Sequence, residues 1–129
     1  MEPTFLTLED LLESHAEQIL AYGGADGIHD MRLLKSAAAQ PAANFDGQFL
    51  HADLYEMAAA YLFHIVSNHP FVDGNKRVGL EAALIFLELN GLSVETTDEE
   101  LVELVLQVAT SQVSKQAIGE FFRHHSIAT

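Results

Sequence analysis

The chain has 129 residues, 49% of them apolar and 19% charged, with no cysteine. That is the length and composition of one globular domain with its own core, taken as residues 1–129. It excludes disulfide scaffolds, zinc ribbons and cysteine nucleophiles. Six Lys and Arg against nineteen Asp and Glu give a formal charge of −13, which argues against direct nucleic-acid binding and against an anionic membrane, and suits a basic protein partner. The acidic N-terminus lacks a signal-peptide pattern. The most apolar stretch, Val78 to Val94, carries Glu81, Glu88 and Asn90, too polar for a membrane span. A cytoplasmic protein is expected.

Apolar spacing predicts a mostly helical chain. Leu8, Leu11, Leu12, His15, Ile19 and Tyr22 share one face of a helix from Thr7 to Tyr22, with Thr7 and Asp10 as cap pair and Gly23-Gly24 as stop. A turn from Gly27 to Asp30 leads to a second helix, Asp30 to Ala39, ended by Pro41. Residues 42–52 read as a loop or small hairpin turning at Asp46-Gly47. Asp53 caps a third helix that runs to Asn68. A fourth, Asn75 to Asn90 with Gly91 beyond it, is apolar on nearly every side after Arg77 and should be the buried central helix. Leu92 to Glu95 reads as extended. Helices from Asp98 to Ser111 and from Ser114 to His124 complete the chain.

The segment that carries chemistry is His69-Pro70-Phe71-Val72-Asp73-Gly74-Asn75-Lys76-Arg77. A helix N-terminus exposes unpaired N–H groups and disfavours cations. Yet Lys76 and Arg77 sit there, and no Lys or Arg follows until Lys115. Scarce cations at that end make sense where an anion binds, and phosphate is the usual one. Gly74 lets it approach the backbone. Asp73 beside a phosphate implies a bridging Mg²⁺, and His69 is placed to take a proton from an attacking hydroxyl. Phe71 anchors the loop in the core. Together they describe a phosphoryl- or nucleotidyl-transfer site. The plainer alternative is an ordinary Asp-Gly-Asn turn with solvated cations.

The same nine residues resemble the signature of the Fic/Doc (Fido) family, HPFxxGNGR followed by xxR. The likeness extends from Ala21-Tyr22-Gly23-Gly24 through Leu84 to Gly91 and the C-terminal helices, and it is nearest to the Doc (death-on-curing) branch. The resemblance implies an all-α helical bundle whose motif loop leads into a central helix. It implies that His69 is the general base, Asp73 holds Mg²⁺, Gly74, Asn75 and Lys76 form the anion hole, and Arg77 grips phosphate. Glu81 would stand near the metal. Lys76 replaces the glycine of the adenylyltransferase majority, and Leu80 replaces its second arginine. The Asn-Lys-Arg form is that of Doc toxins. It implies a kinase that takes ATP in the reversed sense and moves its γ-phosphate to a hydroxyl of elongation factor Tu. Adenylyl transfer and a catalytically silent antitoxin-binding module are the alternatives. The inhibitory pattern [S/T]xxxE[G/N] is absent, since Thr96 and Glu100 are followed by Leu101; this implies inhibition in trans by a Phd-like antitoxin.

Other residues weigh less. Residues 45–51 read as a target-clamping flap or a plain loop. His15 and His64 read as packed helix histidines, and His124-His125 as part of a frayed tail.

Overall fold

The computed structural model describes residues 2–129. Six helices among them set the architecture: α1 (Leu8–Tyr22), α2 (Met31–Ala39), α3 (Leu54–Asn68), α4 (Asn75–Leu89), α5 (Asp98–Ala109) and α6 (Lys115–His125). Five begin at a side-chain cap: Thr7, Asp30, Asp53, Thr97 and Ser114 each accept a hydrogen bond from an amide in the first turn of their helix. Thr7 and Asp10 complete a reciprocal capping box. The exception is α4, which starts at Gly74 with no side-chain cap.

Helices α3 and α4 form the centre. α3 packs on α2, α4, α5 and α6, while α4 also meets α1. Residues 57–62 of α3 are buried without a break. They join Val78, Ala82, Ala83, Phe86 and Leu87 of α4, with Phe122 of α6 beyond. Gly79 lets the two helices approach closely; a Cβ there would stand 3.1 Å from Val66 Cγ2 and 3.4 Å from the Leu62 carbonyl oxygen. Phe86 meets Tyr61 and Phe5, and Tyr61 Oη accepts the Leu6 amide (2.9 Å), pinning the N-terminal segment to the core.

α4 departs from the expectation of burial on every side. Leu80, Leu84 and Ile85 are only half-buried, and Leu89 is 51% exposed. Its surplus apolar side chains face a groove beside α1 that no other element fills among the described residues.

The expected hairpin forms as β1 (Asn44–Phe45) and β2 (Gln48–Phe49), turning through Asp46 and Gly47 in the left-handed region. The extended piece after α4 is β3 (Leu92–Val94). Its antiparallel partner is the chain end, β4 (Ser126–Ala128). The tail expected to fray is therefore paired. His125 Nδ1 donates to the Phe121 carbonyl (2.8 Å), its Nε2 lies 3.2 Å from Glu100, and the Thr129 amide donates to the Gly91 carbonyl.

His64 is a packed helix histidine with an unusual neighbour. Its Nε2 accepts a hydrogen bond from Lys115 Nζ at 2.9 Å. Burial first, then the charge of Lys115, pushes its pKa down from 6.5 to about 4. Between those values the unfolded chain binds a proton at this position that the folded chain refuses, so stability falls as pH drops from about 6.5 toward 4. Replacing His64 with Gln, which keeps an acceptor for Lys115, should flatten that part of the Tm-against-pH curve measured by circular dichroism.

Candidate active site

The motif loop joins α3 to α4, and its shape follows from a few residues. Pro70 disfavours helix at the residue before it. α3 accordingly ends at Asn68, and His69 after it adopts the left-handed conformation (φ 51°) while its amide still bonds the Ile65 carbonyl. Phe71 is fully buried. Gly74, at φ 84°, turns the chain into α4.

Asn75 closes the loop. Its side-chain oxygen accepts the Phe71 amide (2.9 Å), and its Nδ2 donates to the Phe71 carbonyl (2.9 Å). The second Nδ2 hydrogen points to His69 Nδ1 (3.0 Å). Phe71 fixes the amide orientation, because a flip would set donor against donor and acceptor against acceptor. His69 Nδ1 is therefore an acceptor, and the neutral ring carries its proton on Nε2. The Asn75 side chain is buried and does not face an anion; any part it plays in an anion hole falls to its backbone amide.

The amides of residues 75–77 precede the first intrahelical bond of α4, from Val78 to the Gly74 carbonyl. With no cap above them they present an uncovered positive helix end. They open into a cavity of about 390 Å³ lined by His69, Asp73, Gly74, Asn75, Lys76 and Arg77, with Val66 and Ala109 as apolar wall. His69, Asp73, Gly74, Lys76 and Arg77, with the backbone of Asn75, thus face one cavity. Phe71 lies beneath it as the expected anchor. Glu81 lies elsewhere, in the groove along α1, where burial first and then Glu17 raise its pKa.

Asp73 is held by two backbone amides. Ala25 donates to Oδ2 (3.2 Å) and Gly74 to Oδ1 (2.9 Å). These bonds, Ala25 first, lower its pKa, with smaller contributions from Arg77 and Lys76, so the carboxylate is ionised at neutral pH. Each oxygen keeps a further lone pair. Among the described residues no three His, Asp or Glu side chains converge on a metal position. One carboxylate beside an uncapped helix N-terminus and two cations still fits Mg²⁺, which takes one or two carboxylates and completes its shell with phosphate and water.

Three supports of this loop come from α1 and the segment after it. His15 stacks flat on Phe71 (centroids 3.9 Å apart, 4° between planes), and its Nε2 donates to the Asp73 carbonyl (2.9 Å). Gly24 packs where a Cβ would lie 2.7 Å from Asp73 Oδ2. Residues 27–30, expected as a simple turn, are tied to the loop. The Val72 amide bonds the Gly27 carbonyl, and the amides of His29 and Asp30 share the Pro70 carbonyl. His15 was visible as a helix-face histidine and Gly24 as a helix stop. Their contacts with Asp73 span 58 and 49 residues, and no local pattern encodes that pairing.

A helical bundle with an uncapped central-helix N-terminus behind a His-Pro-Phe loop defines a class. The Fic/DOC family model matches residues 5–87, and the chain belongs to that family. It is 32% identical over 115 residues to "Protein kinase doc" of Escherichia phage P1, covering 89% of this chain and 90% of that protein. It is 34% identical over 117 residues to "Toxin Doc" of Mycolicibacterium smegmatis, covering 89% and 88%.

Removing the Asn75 side chain should leave the Phe71 amide and carbonyl buried and unpaired, at about 1–3 kcal/mol each before relaxation. Asn75→Ala is expected to lower stability by about 2–4 kcal/mol in urea titrations. Nitrogen NMR of the native protein should show His69 protonated on Nε2, and in Asn75→Ala that preference should be lost.

Proposed function

We propose that the chain is a Doc-like toxin of a toxin–antitoxin system, a protein kinase that moves the γ-phosphate of ATP to a Thr or Ser hydroxyl. The target proposed from the family resemblance is elongation factor Tu, so that the outcome is inhibition of translation. The observation that carries the reading is the shared cavity. A histidine, an ionised carboxylate, an uncovered helix N-terminus and two cations converge on it. The kinase and toxin names of the two relatives support the same reading.

The chemistry asks each residue for one task. The helix amides, Lys76 and Arg77 hold phosphate oxygens and offset the charge that builds on them. Asp73 would hold Mg²⁺, which supplies charge neutralisation across neighbouring phosphates when bound. His69 takes the proton of the target hydroxyl as its oxygen bonds to the γ-phosphorus and the bond to ADP breaks. Lys76 fills the position where a glycine would leave room for the nucleotide orientation of adenylyl transfer. Leu80 offers no charge for a second phosphate grip. Both substitutions favour phosphate transfer over nucleotidyl transfer.

The proposed partner is a Phd-like antitoxin acting in trans. Thr96 and Glu100 serve other ends: Thr96 Oγ1 donates to Glu100 Oε2 (2.8 Å), and Glu100 also meets His125.

The test is paired labelling with Mg²⁺, elongation factor Tu and ATP labelled on the γ- or the α-phosphate. Label from γ alone, reduced at least about a hundredfold in His69→Ala, is the expected result. Asp73→Asn and Lys76→Gly should each impair it. Label from α would establish adenylyl transfer instead. Growth inhibition that survives His69→Ala would point to a silent antitoxin-binding module.

A further inference from the structure

A separate cavity, of about 230 Å³, lies where the end of the hairpin segment, α3 and α6 meet. His51, Glu56, Lys115, Gln116 and Glu120 line it. His64 stands beside it and accepts the hydrogen bond of Lys115 Nζ at 2.9 Å. His51 Nε2 is buried and has no hydrogen-bond partner among the described residues. Two imidazoles and one amine thus crowd a single small space. None of them belongs to the motif loop.

The setting of Lys115 is unusual for a lysine. None of the ion pairs among the described residues includes it. Glu120, on the same cavity wall, is bonded instead to Arg123 (3.3 Å). The neighbours of Nζ are the His64 ring and the face of Phe63, 5.7 Å from its centroid. His64, with its pKa pushed down to about 4, is uncharged at neutral pH. It accepts from the ammonium without balancing its charge. Burial lowers the pKa of Lys115 itself, and burial first and then Lys115 lower that of His51, against Glu56 and the Gln40 carbonyl. A half-buried amine without a counter-ion is a nucleophile.

We infer that Lys115 is an acylation site, its Nζ taking a short acyl group from a thioester. The ammonium first gives one proton to solvent. The Nζ lone pair then attacks the thioester carbonyl carbon, the N–C bond forms as the C–S bond breaks, and the leaving thiolate takes up the second proton of the amine. The product suits the site better than the reactant. An amide is uncharged, so its burial costs less. It keeps one N–H for His64 Nε2, and the Gln116 amide can donate to the acyl oxygen. Glu56, Glu120 and the charge of −13 repel acyl phosphates, whose charge adjoins the carbonyl; a thioester carries none there.

Peptide mass spectrometry of the full chain, incubated at neutral pH with the uncharged thioester S-acetyl-N-acetylcysteamine, tests it. The lysines are Lys35, Lys76 and Lys115, and Lys35, exposed on α2, is the internal reference. Lys115 should gain the acetyl group about tenfold faster than Lys35, the order of gain that burying an unpaired ammonium brings. His64→Gln keeps an uncharged acceptor and should react as the native protein does. His64→Glu and Gln116→Glu each set a carboxylate beside Nζ and should slow Lys115 severalfold. Gln116→Glu, at an exposed position, keeps the test open should His64→Glu fail to fold. Acetylation removes the charge that lowers both histidines, so the ring titrations of His51 and His64 followed by NMR should move to higher pH. Labelling of Lys115 no faster than Lys35, or undiminished by either carboxylate, overturns the site. Acetylation that leaves both histidine titrations in place overturns it as well.

Discussion

The site depends on one buried amide. Asn75 closes the motif loop on the backbone of Phe71, and the same side chain reaches His69 Nδ1. The two bonds to Phe71 are buried and worth more than their number suggests, because losing the side chain strands polar groups where water cannot reach them. With the third bond, they also set the distance between His69 and the first turn of α4. Asn75, expected as part of an anion hole, is thus the brace of the loop, and the backbone amides of α4 with Lys76 and Arg77 remain on the cavity side.

That brace needs a floor and a side wall. Phe71 supplies the floor, sandwiched between core and His15. The wall comes from α1 and the segment following it, which bond Asp73 through Ala25, the Asp73 carbonyl through His15, and the loop backbone through residues 27–30. Asp73 is consequently oriented and ionised before any ligand arrives. Preorganised charge of this kind spares reorganisation at the moment of reaction. The cost is a lack of space: a Cβ on Gly24 would lie 2.7 Å from Asp73 Oδ2.

The missing cap of α4 belongs to the same design. Five helices satisfy their first-turn amides with a Thr, Asp or Ser side chain; the helix that begins at the site does not. An unfilled helix end beside two cations in a chain of charge −13 concentrates the available positive potential at one place. The apolar flank of α4 left open beside α1 has a parallel meaning: the fold spends less burial there than the sequence permits.

Much of this was legible in the amino-acid order. Helical spacing and cap residues located all six helices to within two residues at either end, and Asp46-Gly47 located the hairpin turn. His69 to Arg77 declared a site because its residue types, unusual together at a helix start, need no partner from afar to be recognised. What the tertiary structure alone decided were the long-range pairings. The chain end became a strand because β3 offered an unpaired edge. His15 and Gly24 became supports of Asp73 because α1 packs against the motif loop. An apolar α4 became half-open because nothing among the described residues covers its α1 flank. Local sequence specifies backbone geometry and amphipathic pattern within a few residues; which side chains meet across fifty residues depends on how the helices pack, and packing is a property of the whole chain.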